Sequence, residues 1–410
     1  MVRTSYWLLA LFVMVILGGC AANRAAMSEK TRKFSDDVEF LKSQGPLVVL
    51  SDSSGKAKVA IAPNLQGRVM TSTATGDDGV SYGWMNRDYF LDAAKGKTNP
   101  HFSPYGGEDR IWLGPEGGQF SVFFAKGAPF DADHWFTPRP LDTEPFETVS
   151  SDSSEAVFTR RASFTNYSGT RFDVQIHRTV RLMDEPEVWS RLGMKAPAGV
   201  HVVAFESSNR IINVGGKDWT KETGLLSIWI LGMMNATSQT TVVVPTRPGD
   251  VPAVNDDYFG KVPSDRLRTM DGTVYFKADG TYRSKIGVSP QRAKPMFGSY
   301  DAKNKILTLC QYSFDEGDTD YVNSAWKIQD NPFGGDVVNS YNDGPPAKGK
   351  PQLGRFFEIE SSSAAGELKA GQLLKHTHRT MHFQGDESGL DQIAVQTLGV
   401  SLNQIQAAFK

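Results

Sequence analysis

Val157-Phe-Thr-Arg-Arg-Ala-Ser-Phe164, Asn166-Tyr-Ser-Gly169 and Phe172-Asp-Val174-Gln-Ile176-His-Arg178 follow one another in the chain and read as strand, hairpin loop and strand. Phe172, Val174 and Ile176 fall on every second position, the period of a strand with one face buried. The pattern extends in both directions. Residues 56–61 and 119–124 alternate in the same way, and strand-like runs recur at 242–244, 274–276 and 356–360. Turn signals separate them: Asp77-Asp78-Gly79, Asp271-Gly272, Asp279-Gly280 and Asn342-Asp343-Gly344-Pro345-Pro346. Helical spacing is confined to the ends. Phe34, Val38 and Leu41 predict an amphipathic helix over residues 28–43, stopped by Gly45-Pro46. Near the C-terminus Ser388 is placed to cap a helix over 390–398, and Ser401 a shorter one carrying Leu402, Ile405 and Phe409. No repeat, low-complexity tract or linker divides the chain. The expected fold class is mainly β, a large two-sheet sandwich in one domain over residues 33–410, with short helices at both ends.

The amino terminus reads as a targeting segment. An apolar run from residue 7 to residue 17 is shorter than the roughly 20 residues a spanning helix needs, and suits a secretory leader. It ends in Leu17-Gly18-Gly19-Cys20, which resembles the bacterial lipobox. That resemblance implies cleavage after residue 19, a diacylglyceryl group on Cys20, and a tether over residues 20–32. The mature chain is then exported and held to a bacterial membrane by lipid alone, with the outer membrane preferred because Ala21 is not Asp. An ordinary leader with an incidental Cys is the alternative. With Cys20 lipidated, Cys310 has no partner for a disulfide, so the fold must be held by its core. A formal net charge of −2 gives no electrostatic footprint for nucleic acid. Abundant aromatics, among them eight Trp, suit a β-protein that meets sugars.

Three clusters carry chemistry. In Gly106-Gly107-Glu108-Asp109-Arg110-Ile111-Trp112-Leu-Gly-Pro115-Glu116, acids, a guanidinium and an indole lie among glycines. Glycines admit close approach, Arg offers a fork of donors, and Trp a flat face for a sugar ring. The alternative is a structural ion pair of Glu108 or Asp109 with Arg110, beside a core Trp. In Arg355-Phe-Phe-Glu358-Ile-Glu360, Glu358 and Glu360 share one strand face. In His376-Thr-His378-Arg-Thr-Met-His382 the three histidines share one face. They read as a solvated strand face, as the source of a general acid, or as a His-x-His metal pair. If the last two strands pair as a hairpin, a carboxylate and an imidazole adjoin as an acid/base pair. His134-Trp135 and Asn342-Asp343-Gly344 are further places where polar or aromatic groups could meet a ligand. No nucleophile elbow, phosphate loop or dinucleotide fingerprint is present, and no motif names a cofactor.

Over roughly residues 47–384 these motifs together resemble the galactose mutarotase-like proteins, within them the uncharacterised secreted bacterial groups. Pro63-Asn-Leu-Gln-Gly67-Arg68-Val69 looks like their early strand. The 105–116 stretch looks like a Gly-Gly-x-Arg-x-Trp-x-x-Pro-Glu element, and Asp109-Arg110-Ile111 is similar to the Asn-Arg-Ile of aldose 1-epimerases. Ile359-Glu360-Ser, then Leu368-Lys-Ala-Gly371, is similar to the late strand that carries the epimerase base. The resemblance implies a β-supersandwich and a carbohydrate ligand. Glu360 is the implied base with Glu358 as fallback, and His378 a possible acid. Arg110 and Trp112 position the ring, and Glu108, Asp109, Glu116, Arg68, Asn342 and Asp343 are the remaining implied contacts. It departs at Phe205-Glu-Ser-Ser-Asn209-Arg210-Ile-Ile-Asn213, where the epimerases' general-acid His has no counterpart.

Overall fold

The alternating segments form antiparallel ladders in the computed structural model, which describes residues 31–410. The leader, Cys20 and the start of the first expected helix lie outside the described residues. The first helix, α1, runs Phe34–Gln44, with Asp36 and Asp37 in its first turn and Gly45 closing it. The strands follow in order: β1 (Val48–Ser51), β2 (Lys58–Ala62), β3 (Arg68–Thr73), β4 (Arg110–Gly114), β5 (Glu147–Ser151) and β6 (Glu155–Thr165). Next come β7 (Arg171–Leu182), β8 (Val200–Asn213), β9 (Ser227–Asn235), β10 (Thr240–Pro245), β11 (Leu267–Met270) and β12 (Thr273–Lys277). The last are β13 (Ser284–Val288), β14 (Met296–Asp301), β15 (Ile306–Tyr312), β16 (Val338–Asn342), β17 (Phe356–Ser362) and β18 (Leu373–Gly385).

Ten strands make one sheet, in the order β11-β12-β10-β14-β15-β18-β8-β7-β6-β5. Five make a second, β13-β16-β17-β9-β4, and β1-β2-β3 form a third. The third is joined to the second through backbone hydrogen bonds between Val69 and Asp109. The expected two-sheet sandwich is thus the ten- and five-stranded pair, with the three-stranded sheet added at one side. The hairpin over 166–169 is present, joining β6 to β7 in register from Thr165↔Arg171 to Glu155↔Arg181. At the outer edge β5 is exposed along its whole length, and a register shift leaves Val149 without a partner between Thr148 and Ser150.

Alternation decides what each sheet buries. Ile111, Ile228 and Ile230 from the five-stranded sheet meet Val174, Ile176 and Phe205 from the ten-stranded sheet, all within one apolar cluster. On the far side of the ten-stranded sheet, Met381, Phe383 and Ala204 pack against Trp189, Leu390, Ile393 and Ile405 of the helical segments.

Four expectations need correction. Helix is not confined to the ends: Arg87–Ala93, Arg139–Asp142 and Glu185–Leu192 are short helices between strands, the last packing Val188, Trp189 and Leu192 against the ten-stranded sheet. Residues 119–124 form turns, because Ser121 Oγ donates to Glu116 O and accepts from Phe123 N, taking local backbone groups away from any ladder. The penultimate helix runs Glu387–Leu398 and starts after Asp386, whose carbonyl accepts from Leu390 N, so Ser388 lies inside it. The final helix, Leu402–Ala407, does have the Ser401 cap, in a reciprocal pair with Gln404. Most consequentially, β17 and β18 are not a hairpin pair. Both edges of β17 are taken by β9 and β16, and both edges of β18 by β15 and β8. The two strands face each other from opposite sheets.

Gly67 fixes the approach between sheets. It has φ of +64°, and a Cβ there would lie 2.5 Å from the Phe158 ring. Gly67→Ala is expected to destabilise the fold by about 1–3 kcal/mol through strain and overpacking, read from the midpoint of urea unfolding.

Candidate functional site

In β17 the residues alternate, so Phe357 and Ile359 enter an apolar cluster while Glu358 and Glu360 face the other way. Residues paired across a sheet share a face. Glu360 is opposite Asn339 and Leu231, and Glu358 opposite Tyr341 and Met233. The same logic puts Trp229 opposite Trp112, Arg110 opposite Leu231, and Lys285 opposite Tyr341. One face of the five-stranded sheet therefore gathers two carboxylates, a guanidinium, an ammonium and two indoles.

Their contacts are specific. Glu360 is fully buried; its Oε2 accepts from Lys285 Nζ at 3.0 Å and from Trp229 Nε1 at 2.9 Å. Its Oε1 is buried and takes no hydrogen bond from the protein. Arg110 Nη2 lies 3.6 Å from Glu358 Oε1, and its guanidinium sits 4.1 Å above the Trp112 ring. Arg110 Nε, Trp112 Nε1, Ser227 Oγ and, farther along the aromatic group, Trp135 Nε1 are likewise buried without a protein partner. Trp112 meets Trp229 edge-on at 5.5 Å and Trp135 at 6.1 Å, and Trp135 stacks with Trp326 at 6.0 Å.

Burial pushes the Glu358 carboxyl up to about 8, and the charge of Glu360 adds to the rise. Burial also raises Glu116 and Asp336. Burial by itself pulls the Lys285 ammonium down, but Glu360, Glu116 and Glu358 together hold it above its ordinary value. Burial lowers Arg110, with Glu358 opposing. Tyr258 donates to Asp336 and accepts from Asn339 Nδ2, closing the site beside Lys285. The partly open space lined by Ser227, Tyr258, Lys285, Asp336 and Asn339 has room of about 20 Å³, which suits a water.

Of the sequence-derived residues, the structure brings Glu358, Glu360, Arg110, Trp112 and Glu116 together. Asp343 lies next to them, accepting from the Tyr341 hydroxyl at 2.8 Å and from Gly354 N at 3.0 Å. The others point elsewhere. Asn342 is on the opposite strand face, its Oδ1 accepting from Gly280 N and its Nδ2 donating to Tyr282 O. Arg68 is buried against Gly106 O and Gln66 Oε1. Glu108 turns inward to Ser72 and His382, and Asp109 pairs with Arg178 at 2.6 Å rather than with Arg110.

His378 is not beside Glu360. It faces the inter-sheet space, with Nδ1 2.8 Å from Ser361 Oγ, and Ser361 projects from the other side of β17. Burial depresses His378 to about 4 and His376 to about 3, so both rings are neutral at physiological pH. Their nitrogens are engaged with Ser361, Ser313 and Cys310. Among the described residues no group of three or more His, Cys, Asp or Glu is arranged to hold a metal.

The chain matches the model of a family of unknown function (DUF6786) over residues 32–409. It belongs to that family. A search of curated proteins returned no match. Solved structures similar to this family member include a candidate aldose 1-epimerase from Escherichia coli K12, at 10% identity and a TM-score of 0.48, covering 83% of this chain and 99% of that one. A galactose mutarotase-like protein from Lactobacillus casei ATCC 334 gives 13% identity and 0.44, covering 83% and 100%. A galactose mutarotase related enzyme from Lactobacillus acidophilus gives 9% and 0.43, covering 83% and 97%.

Sequence reasoning missed Lys285, Trp229, Tyr258, Asp336, Asn339 and Tyr341. The one available signal was alternation: Lys285 interrupts an otherwise buried strand, and Asn339 and Tyr341 lie two apart in another.

The neutral histidines give a pH prediction for this family member. Unfolded, each takes a proton below about 6.5; folded, only near 3 to 4. Their contribution is therefore complete above pH ~6.5 and lost as pH falls below it. In His376→Gln the slope of unfolding free energy against pH, between about 6 and about 4.5, is expected to fall by about 1.4 kcal/mol per pH unit. Urea titrations at stepped pH read the slope.

Proposed function

We propose that the outward face of the five-stranded sheet binds a carbohydrate, and that Glu358 and Glu360 act on it as an acid/base pair. The observation that carries this reading is the bare Oε1 of fully buried Glu360, set among the unpartnered donors Arg110 Nε, Trp112 Nε1 and Ser227 Oγ. Buried polar atoms are nearly always satisfied, so a set of one acceptor and several donors on one face calls for a ligand rich in hydroxyls. The indoles of Trp112 and Trp229 supply the apolar faces that a sugar ring packs on.

The chemistry follows from two carboxyls in unlike surroundings. Glu358 keeps its proton up to about pH 8 and can give it to a ring or leaving oxygen. Glu360, with Oε2 already held by Lys285 and Trp229, offers Oε1 to a sugar hydroxyl. Proton transfer at an anomeric hydroxyl, as in sugar epimerisation, needs those two roles and no imidazole. Because the space beside Lys285 is only water-sized, a sugar ring can occupy it only if the lining side chains, Tyr258 and Ser324 among them, move aside. A non-catalytic glycan-binding module is the second reading, and one fact favours it: the unpartnered Arg110, Trp112 and Ser227 donors and the two indoles hold a sugar whether or not the carboxyls act on it. In either case the proposed setting is the bacterial envelope, with the chain anchored through lipid on Cys20.

The test is a thermal-shift screen of the full chain against mono- and oligosaccharides. A ligand at 100 times its Kd adds about 2.7 kcal/mol of stability. Arg110→Ala is expected to weaken binding by about 1.5–3 kcal/mol, because it removes a charged donor whose Nε is free to bond a sugar hydroxyl. Glu360→Gln should abolish turnover, and it should also lower Tm in the absence of sugar, because it leaves the buried Lys285 ammonium without its carboxylate partner. If neither variant changes sugar binding or turnover, the site is structural. Turnover, where found, is expected to fall above about pH 8 as Glu358 loses its proton; a flat profile there removes Glu358 from the acid role.

A further inference from the structure

The two outward-facing groups at the centre of the site each have a polar neighbour in the chain that faces inward. Next to Arg110 stands Asp109, and next to Glu360 stands Ser361. Both inward groups are held by side chains of the opposite sheet. Arg178, on β7, donates to Asp109 Oδ1 at 2.6 Å, to the Asp109 carbonyl at 3.1 Å and to the Gly67 carbonyl at 3.0 Å. His376 Nε2 and His378 Nδ1, on β18, both lie 2.8 Å from Ser361 Oγ. One residue further up the chain from Asp109, Glu108 accepts from Ser72 N and Ser72 Oγ and pairs with His382 Nε2 at 3.0 Å. Asn209 accepts from Arg178 Nη1 at 2.7 Å, and its Nδ2 reaches the His376 carbonyl at 3.5 Å, linking the two holds.

This polar seam runs through an otherwise apolar interior. Arg178, Glu108, Asp109, Asn209, Ser361 and His376 are all fully buried. Well-packed apolar side chains in their place often leave stability unchanged or higher. What a buried polar pair does provide is register. In a strand a slip of one residue sends every side chain to the other face. A slip in β17 would bury Glu360 between the sheets and turn Ser361 outward, and a slip in β4 would do the same to Arg110 and Asp109.

We infer that Ser361, clasped by His376 and His378, and Asp109, clasped by Arg178, are positioning residues that set Glu360 and Arg110 from behind. The inference rests on the reading of Glu360 and Arg110 given above. It also accounts for the three histidines on one face of β18: they serve the site through the strands opposite and never meet its ligand.

The test reads the site's electrostatics without a sugar. Trp112 and Trp229 flank the carboxyls, so intrinsic fluorescence of the full chain, titrated from about pH 6 to about pH 10, reports the proton on Glu358. The parent is expected to show a midpoint near 8, and Glu358→Gln to remove it. Ser361→Ala is expected to move the midpoint by on the order of one unit. Ser361→Thr, which keeps the hydroxyl, is expected to restore it. Ser363→Ala is the control: this nearby buried hydroxyl bonds Ile228 N, and its loss should lower Tm and leave the midpoint alone. If Ser361→Ala does not fold, Ser361→Cys keeps the size with a weaker hydrogen bond. A midpoint in Ser361→Ala or Ser361→Cys equal to the parent's overturns the positioning role and leaves the reading of the site intact. No transition in the parent, or one that survives Glu358→Gln, overturns that reading and the seam's role with it.

Discussion

Strand β17 is hydrogen-bonded on both edges, to β9 and β16, and its register there fixes everything that follows. Because side chains alternate, one register presents Glu358 and Glu360 together and sends Phe357, Ile359 and Ser361 to the interior. The neighbouring strands, pinned to the same register, bring Arg110, Trp112, Trp229 and Lys285 to that face. Local preference has little part in this. A Lys or Glu in mid-strand is unfavourable alone; Glu360 and Lys285 are tolerated because they meet each other on one face, and Glu360 also accepts from the Trp229 indole, although none of these is a direct ladder partner of another.

Acids outnumber cations at the face, and that shapes their behaviour. Two cations, Arg110 and Lys285, stand among Glu358, Glu360, Glu116 and Asp336. In a dry environment not all the acids can ionise, so Glu358, Glu116 and Asp336 are pushed toward the neutral form. On β17 Glu358 is thereby held toward its protonated form, while Glu360 keeps one oxygen free of protein hydrogen bonds.

Much of this was legible in the chain. Period-two alternation gave the β class, the 166–169 hairpin and the common face of Glu358 and Glu360. The density of Gly, Arg, Trp and Glu over 106–116 pointed to Arg110, Trp112 and Glu116. What was not legible is which strands meet. Sequence neighbours β17 and β18 looked like a hairpin, so His378 was put beside Glu360. The actual partner, Trp229, lies 131 residues away. Asp109 faces inward because it alternates with Arg110; Glu108, two before Arg110, also turns inward, because the chain enters β4 from Gly106 and Gly107 at φ of +92° and +111° and is not yet regular strand there; Arg68 lies on another strand, β3. Lys285 and Tyr341 were passed over because they lie in strands that otherwise read as core.

The unpartnered Val149 on β5 has a bearing on behaviour at high concentration. A ten-stranded sheet that does not close leaves backbone donors and acceptors along its rim, a template on which another chain can add a strand. On β5 the inserted residue twists that rim out of regular spacing. The bulge makes this flank of the sheet a poor match for a second copy of itself, so the β5 rim is guarded against edge-to-edge pairing.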